Sequence, residues 1–212
     1  MGNGRDVDGK QTNMTNGWMT EEQIYEKFAG IVAQSLHVES EQVALDAYLD
    51  DLGAESLDLI EISMEVESQF KVWLPEKSIL QTAIEIYGPD VIERDGYLTA
   101  EGKTLLQARM PAEDASHFQG MVSVKDVQRY FMLVKTWIRM IDGLLAFTPR
   151  LCTACGGAME PSLGFRLKCN ACGDEITLRS GDDINREWVR EFMQSHGSAG
   201  ANSGGEVLPV IV

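Results

Sequence analysis

The chain predicts a mostly α fold with one small β unit held by metal. Two observations carry that expectation: apolar residues recur every three or four positions through much of residues 18–147, and all four cysteines fall between residues 152 and 172 as two C-x-x-C pairs. With 212 residues and 44% apolar side chains, the chain has room for one ordinary domain with a buried core and a small extra unit. Cysteines clustered in this way suit a metal site in a reducing compartment, whereas an extracellular disulfide framework would scatter them.

The elements follow in order. Residues 1–17 are rich in Gly, Asn and Asp and nearly free of apolar side chains, which reads as a disordered leader. Thr20 and Gln23 have the form of a capping box, after which Ile24, Phe28, Ile31, Val32 and Leu36 recur at helical spacing. Over residues 37–53 the apolar Val43, Leu45, Tyr48, Leu49 and Leu52 lose that spacing, as in a long loop lying over a core. Ser56 then caps a helix with two apolar rows. Leu59, Ile62, Val66 and Phe70 form a stripe suited to the core. Leu57, Ile60 and Met64, flanked by Asp58, Glu61 and Glu65, form a second row that suits either a partner surface or a wide buried face.

Pro75 opens a further helical stretch that ends at Tyr87 and Gly88. Residues 89–120 read as a connector with a short helix from residue 99 to about residue 110. Ser123 caps a long helix whose stripe is Val127, Phe131, Val134, Ile138 and Ile141, with Tyr130, Trp137 and Leu144 beside it, a width that implies contact on two sides. Past Met193 the composition is that of a flexible linker, followed by VLPVIV, an apolar end that could add a strand to a partner or stay disordered. The expected organisation is a leader over 1–17, a helical domain over 18–147, a metal-bearing unit over 148–182, and a short helix with flexible tail over 183–212.

DLGAESLDLIEISMEVESQF, residues 51–70, resembles the signature of the acyl carrier proteins, the phosphopantetheine-binding family. The resemblance covers Asp51, Leu52, Gly53, Ala54, an acidic Glu55, Ser56, Leu57, Asp58, then Glu61, Met64, Glu67 and Phe70, and extends upstream to the first helix and its loop. It implies an acyl-carrier-type four-helix bundle in which Ser56 bears a covalent 4′-phosphopantetheine arm carrying acyl groups as thioesters. It also implies a recognition surface of Glu55, Leu57, Asp58, Ile60, Glu61, Met64 and Glu67. The implied partners are a phosphopantetheinyl transferase and acyl-transferring or acyl-modifying enzymes, as in fatty acid or lipid biosynthesis. Glu55 stands where the family usually has Asp, which keeps the charge and lengthens the side chain. In the family a last helix follows soon after the recognition helix, introduced by a Thr-Val-x-Asp-like turn. The closest counterpart is Ser123-Val124-Lys125-Asp126, so residues from about 80 to 120 are expected to be a helical insertion and the long helix to close the bundle. A carrier ending near Tyr87, with a separate helical middle, is the competing boundary.

Physical chemistry agrees with the resemblance at Ser56. A serine at a helix amino end keeps its hydroxyl accessible, and that end favours an attached phosphodiester anion. The histidines are His37, His117 and His196, none beside Ser56 in sequence, so no catalytic residue is expected and a separate transferase would supply the chemistry.

Cys152, Cys155, Cys169 and Cys172 form C-x-x-C, thirteen intervening residues, then C-x-x-C. Each pair can close a knuckle on one ion, and Gly156 and Gly173 let backbone N–H groups approach the thiolates. Met159, Leu163, Phe165 and Leu167, with Ile176 beyond, could form a small β hairpin, so the segment resembles a zinc ribbon. A unit of about 35 residues needs such a staple to fold. Four thiolates also suit iron, and reduced pairs could serve redox exchange; four protein ligands with no open position favour structural zinc.

Lys plus Arg number 18 against 33 Asp plus Glu, a net charge of −15, which repels phosphate backbones and anionic membranes. Arg150, Arg166, Lys168 and Arg179 make the cysteine segment locally basic, so a zinc-ribbon regulator binding nucleic acid stands as an alternative that the overall charge opposes. A scaffold that keeps the carrier fold without the arm is a second alternative. No apolar run approaches the roughly 20 residues of a membrane span, and a cytoplasmic protein is expected.

Overall fold

A computed structural model of the protein describes residues 18–109 and 118–196. The expected leader over 1–17, the linker and VLPVIV ending beyond residue 196, and His117 lie outside the described residues. The expected mostly α fold with a small β unit is present, and three hydrophobic cores organise it.

The first core belongs to α1 (Glu21–Leu36), α2 (Ser56–Phe70) and α7 (Val134–Ala146). The capping box that opens α1 is reciprocal: Gln23 N–H donates to Thr20 Oγ1 at 3.2 Å and Thr20 N–H to Gln23 Oε1 at 2.9 Å. His37 and Lys71 end α1 and α2 in the left-handed conformation. Ile24, Phe28 and Val32 of α1 meet Ile62, Val66 and Phe70 of α2 and Trp137, Ile138 and Ile141 of α7, with Phe28 stacked on Trp137 at 5.5 Å. Val43 and Leu49 of the intervening loop close this core, while Leu45 stays exposed. Val72 and Leu74 carry the chain along the same core after α2, so the next helix begins at Ile79 under a Ser78 cap, later than Pro75 implied.

The second core gathers α3 (Ile79–Tyr87), α4 (Pro89–Ile92), a two-stranded hairpin of β1 (Glu93–Arg94) and β2 (Tyr97–Leu98), α5 (Ala100–Arg109) and α6 (Val124–Tyr130). It is completed from the far end of the chain by α8 (Gly181–His196), whose Trp188, Val189 and Phe192 pack among Ile79, Ala83 and Leu106.

The long helix expected from Ser123 is two helices, interrupted at residues 131–133. Its stripe is continuous in spacing but divided in destination, since Val127 is buried in the second core and Val134, Ile138 and Ile141 in the first. The break also frees backbone groups for pairing with the loop before α2: Leu49 N–H donates to Met132 O at 2.9 Å and Val134 N–H to Ala47 O at 3.0 Å. The bundle-closing helix is therefore introduced by Leu133-Val134-Lys135-Thr136 instead of Ser123-Val124-Lys125-Asp126.

The cysteine unit is a three-stranded antiparallel sheet of β3 (Met159–Pro161), β4 (Arg166–Cys169) and β5 (Glu175–Thr177), one strand more than the expected hairpin. Met159, Leu167, Cys169 and Leu178 fill its small core, whereas Leu163 is exposed on the turn. Phe165 stacks on Trp73 at 4.6 Å with planes 7° apart, and Gly181 N–H donates to Trp73 O at 2.9 Å. The chain thus runs from the first core to the second, back to the first, through the ribbon, and into the second again.

Candidate functional site

A loop with one glycine-dependent turn leads into α2. Gly53 has φ 95, a conformation that side-chain-bearing residues avoid, and Ala54 N–H donates to Leu49 O at 2.9 Å. Glu55, in extended conformation, takes the N-cap position because its N–H donates to Asp58 Oδ2 at 2.7 Å. Ser56 is consequently the first residue of the helix, one position further in than the cap expected of it. It is exposed there, at the end of a 15-residue helix whose macrodipole favours an anion. His37 Nδ1 lies 2.9 Å from Gln34 O, and His196 Nδ1 is engaged by Ser195 and the Phe192 carbonyl.

Leu57, Ile60 and Met64 are 78%, 57% and 66% exposed, which excludes the wide buried face for this row. Glu55 and Glu61 are exposed beside them. Asp58 is partly buried by its capping role. Glu67 is half-buried and lines the same groove as Ile60 and Met64, where it also accepts from Leu74 N–H at 2.9 Å and ties α2 to the segment that follows. Burial raises its carboxyl pKa, the Leu74 N–H acts downward, and Glu76 adds to the rise.

A groove of about 420 Å³ opens along α2, walled by Leu59, Ile60 and Met64 on one side and by Phe131, Trp137 and Met140 on the other. Its size falls in the range of small-molecule sites. Periodicity could not reveal it, because its walls are more than sixty residues apart; the only signal was the width of the apolar face around Trp137.

The four cysteine sulfurs lie within 4.8 Å of one another, with Cys152 and Cys172 at 3.7 Å and Cys155 and Cys169 at 3.5 Å. A tetrahedral ion with metal–sulfur bonds of about 2.3 Å would set its ligands roughly 3.8 Å apart, so the donor set fits. Gly157 N–H donates to Cys155 Sγ at 3.4 Å. The Cys172 N–H draws the Cys169 thiol down to about 6. For Cys172, the downward pull of the Asp174 N–H is outweighed by the neighbouring thiols and burial, which push it up to about 12. Four thiolates this close repel one another, and a divalent cation removes that conflict.

Arg166 and Lys168 both face Glu175 at 3.7 Å, Arg179 pairs with Glu187, and the Arg150 guanidinium lies 5.8 Å from the Trp18 ring. The local basic charge is therefore engaged by neighbours. No helix among the described residues is long and apolar enough to cross a membrane.

Residues 26–83 match the family model of the phosphopantetheine attachment site, a span that includes Ser56. The acyl carrier protein of Guillardia theta is 37% identical over 79 residues, covering 34% of this chain and 98% of the relative. That of Chlorobium phaeobacteroides is 40% identical over 73 residues, 32% of this chain and 94% of the relative, and that of Cyanidioschyzon merolae 41% identical over 64 residues, 30% and 70%. No solved structure matches. The chain belongs to the acyl carrier protein family, and the likeness covers about a third of its length.

Proposed function

We propose that the protein is a non-enzymatic acyl carrier whose Ser56 holds 4′-phosphopantetheine and presents thioester-bound acyl groups to biosynthetic enzymes. The observation that carries this reading is the position of Ser56: exposed at the amino end of α2, next to an unpartnered apolar row edged by carboxylates. The transferase and the acyl-processing enzymes would meet Leu57, Ile60 and Met64 with apolar pockets and the carboxylates of Glu55, Asp58 and Glu61 with basic rims. The groove beside Ile60 and Met64 would shelter the acyl portion between visits. Glu67, half-buried on the groove beside Ile60 and Met64, would join that contact with the enzymes while also holding the segment after α2.

In this reading residues 18–147 are the carrier unit, with an insertion somewhat wider than 80–120, since Ile79 and Val127 both belong to the second core. Residues 148–182 form a structural zinc ribbon on Cys152, Cys155, Cys169 and Cys172, which supplies no open coordination position and no chemistry. The ribbon sets the path of α8 back to the inserted lobe.

Intact mass spectrometry tests the arm. Co-expression with a broad-specificity phosphopantetheinyl transferase should add one arm to the wild type and none to Ser56→Ala. A wild type that stays at its unmodified mass would leave a scaffold role in place of the carrier.

A further inference from the structure

Resting on the reading of Ser56 as the arm site, we propose that Arg129, carried by the inserted lobe, is a positioning residue that holds the arm-attachment loop in the form its modifying enzyme meets. Arg129 lies in the last turn of α6, 73 residues beyond Ser56 in sequence. Its Nη2 donates to both carboxylate oxygens of Asp51 at 2.8 Å, its Nε is 3.7 Å from Asp50 Oδ2, and its guanidinium lies 4.5 Å from the centre of the Tyr48 ring. One side chain therefore grips three residues of the loop that ends at Ser56.

The backbone repeats the connection. Tyr48 pairs with Leu133, Leu49 N–H donates to Met132 O, and Lys135 N–H donates to Leu45 O at 3.0 Å. From this anchor the loop turns through Leu52 N–H to Tyr48 O and Gly53 N–H to Asp50 O, and reaches Glu55 and Ser56 three residues later. The loop is acidic, with Asp46, Asp50, Asp51 and Glu55 in ten residues, and adjacent carboxylates favour spreading unless a cation lies between them. Arg129 supplies that cation for Asp50 and Asp51.

Arg129 and Asp51 are 53% and 61% exposed, so water and salt screen the pair and it adds little to global stability. A role in presentation can thus be separated from a role in folding. The ordering of a loop before it meets an enzyme lowers the cost of reaching the reactive geometry.

The test uses the full chain with coenzyme A and a broad-specificity phosphopantetheinyl transferase. Arg129→Ala should lower kcat/KM for modification roughly two- to fivefold at low salt, the size of one screened pair. Arg129→Lys should recover part of the loss, and added salt should bring the wild type toward Arg129→Ala. Hydrogen exchange should quicken at Leu49, Leu52, Gly53 and Ala54 while α1 amides and the urea midpoint stay unchanged. Equal modification rates in an armed wild type and Arg129→Ala, or unchanged loop exchange, would overturn the proposal alone. A wild type that takes no arm would overturn it together with the carrier reading.

Discussion

Glu67 has the sequence position of a recognition carboxylate and, besides lining the groove, holds the segment that follows α2. Its carboxylate is partly withdrawn from water by the segment it holds, and Glu76 repels the charged form, so its pKa in the folded protein lies above the unfolded value. Folding then favours the protonated group: its contribution is fully present below the unfolded pKa and is lost as pH rises through the folded one. Glu67→Gln keeps an oxygen for the Leu74 N–H and removes the charge. The variant should match the wild type at pH 4 and be the more stable of the two at pH 7 in urea titrations; a wild type equal or superior at pH 7 would contradict this. Arg109 is a second residue whose surroundings outweigh its type. It is 1% exposed, with its guanidinium 4.3 Å from the Trp188 ring and Nη2 donating to Asn185 Oδ1 at 2.5 Å. Burial pulls its pKa down to about 9, and no carboxylate among the described residues is bonded to it. Neither situation is legible in the sequence, because Glu67 depends on how the chain folds back after α2 and Arg109 on Asn185 and Trp188 brought from the far end of the chain.

At the scale of elements, legibility followed the range of the signal. The starts of α1 and α2 could be read because caps and the first apolar turn act within four residues. The interruption between α6 and α7 could not, because the 3.6-residue period runs through it unchanged and only the two cores assign its halves to different places. The start of α8 depends on a close approach that spacing cannot encode. A Cβ on Gly181 would lie 2.4 Å from Pro75 N and 2.5 Å from its Cδ. Gly181→Ala should therefore force the segment 73–75 and α8 apart and cost about 1–3 kcal/mol, the usual scale of overpacking. Urea unfolding measures the loss; a midpoint equal to wild type would show that the junction yields without strain.

Across the whole molecule, the ribbon is the stretch of chain that joins α7 in the first core to α8, whose Ile184 reaches the first core while Trp188, Val189 and Phe192 lie in the second. Metal removal should act at a distance for that reason. The protein should contain about one zinc per chain, and chelation or Cys152→Ser should unfold the ribbon. With the Trp73–Phe165 stack lost, amides of Trp188 and Val189 should exchange faster, while those of Ile62 and Val66 keep their protection. Retention of α8 protection in metal-free protein would show that the second core closes without the ribbon, and an iron spectrum would replace zinc as its staple. The carrier core, on this view, keeps its fold when the rest of the molecule loosens.

By itself the sequence determined the serine at the head of α2, the acidic loop before it, the second apolar row beyond it, though not that row's exposure, and the spacing of four thiolates. Each is written within a few turns of chain, where caps, glycine conformations and side-chain period act directly. Only the tertiary structure decided that α3, α6 and α8 share a second core, that a groove opens between α2 and α7, and that Arg129 meets Asp51 across 78 residues of sequence. Those choices were made by burial: two apolar faces with the same period are alike to the chain, and they part only when one partner surface can cover each.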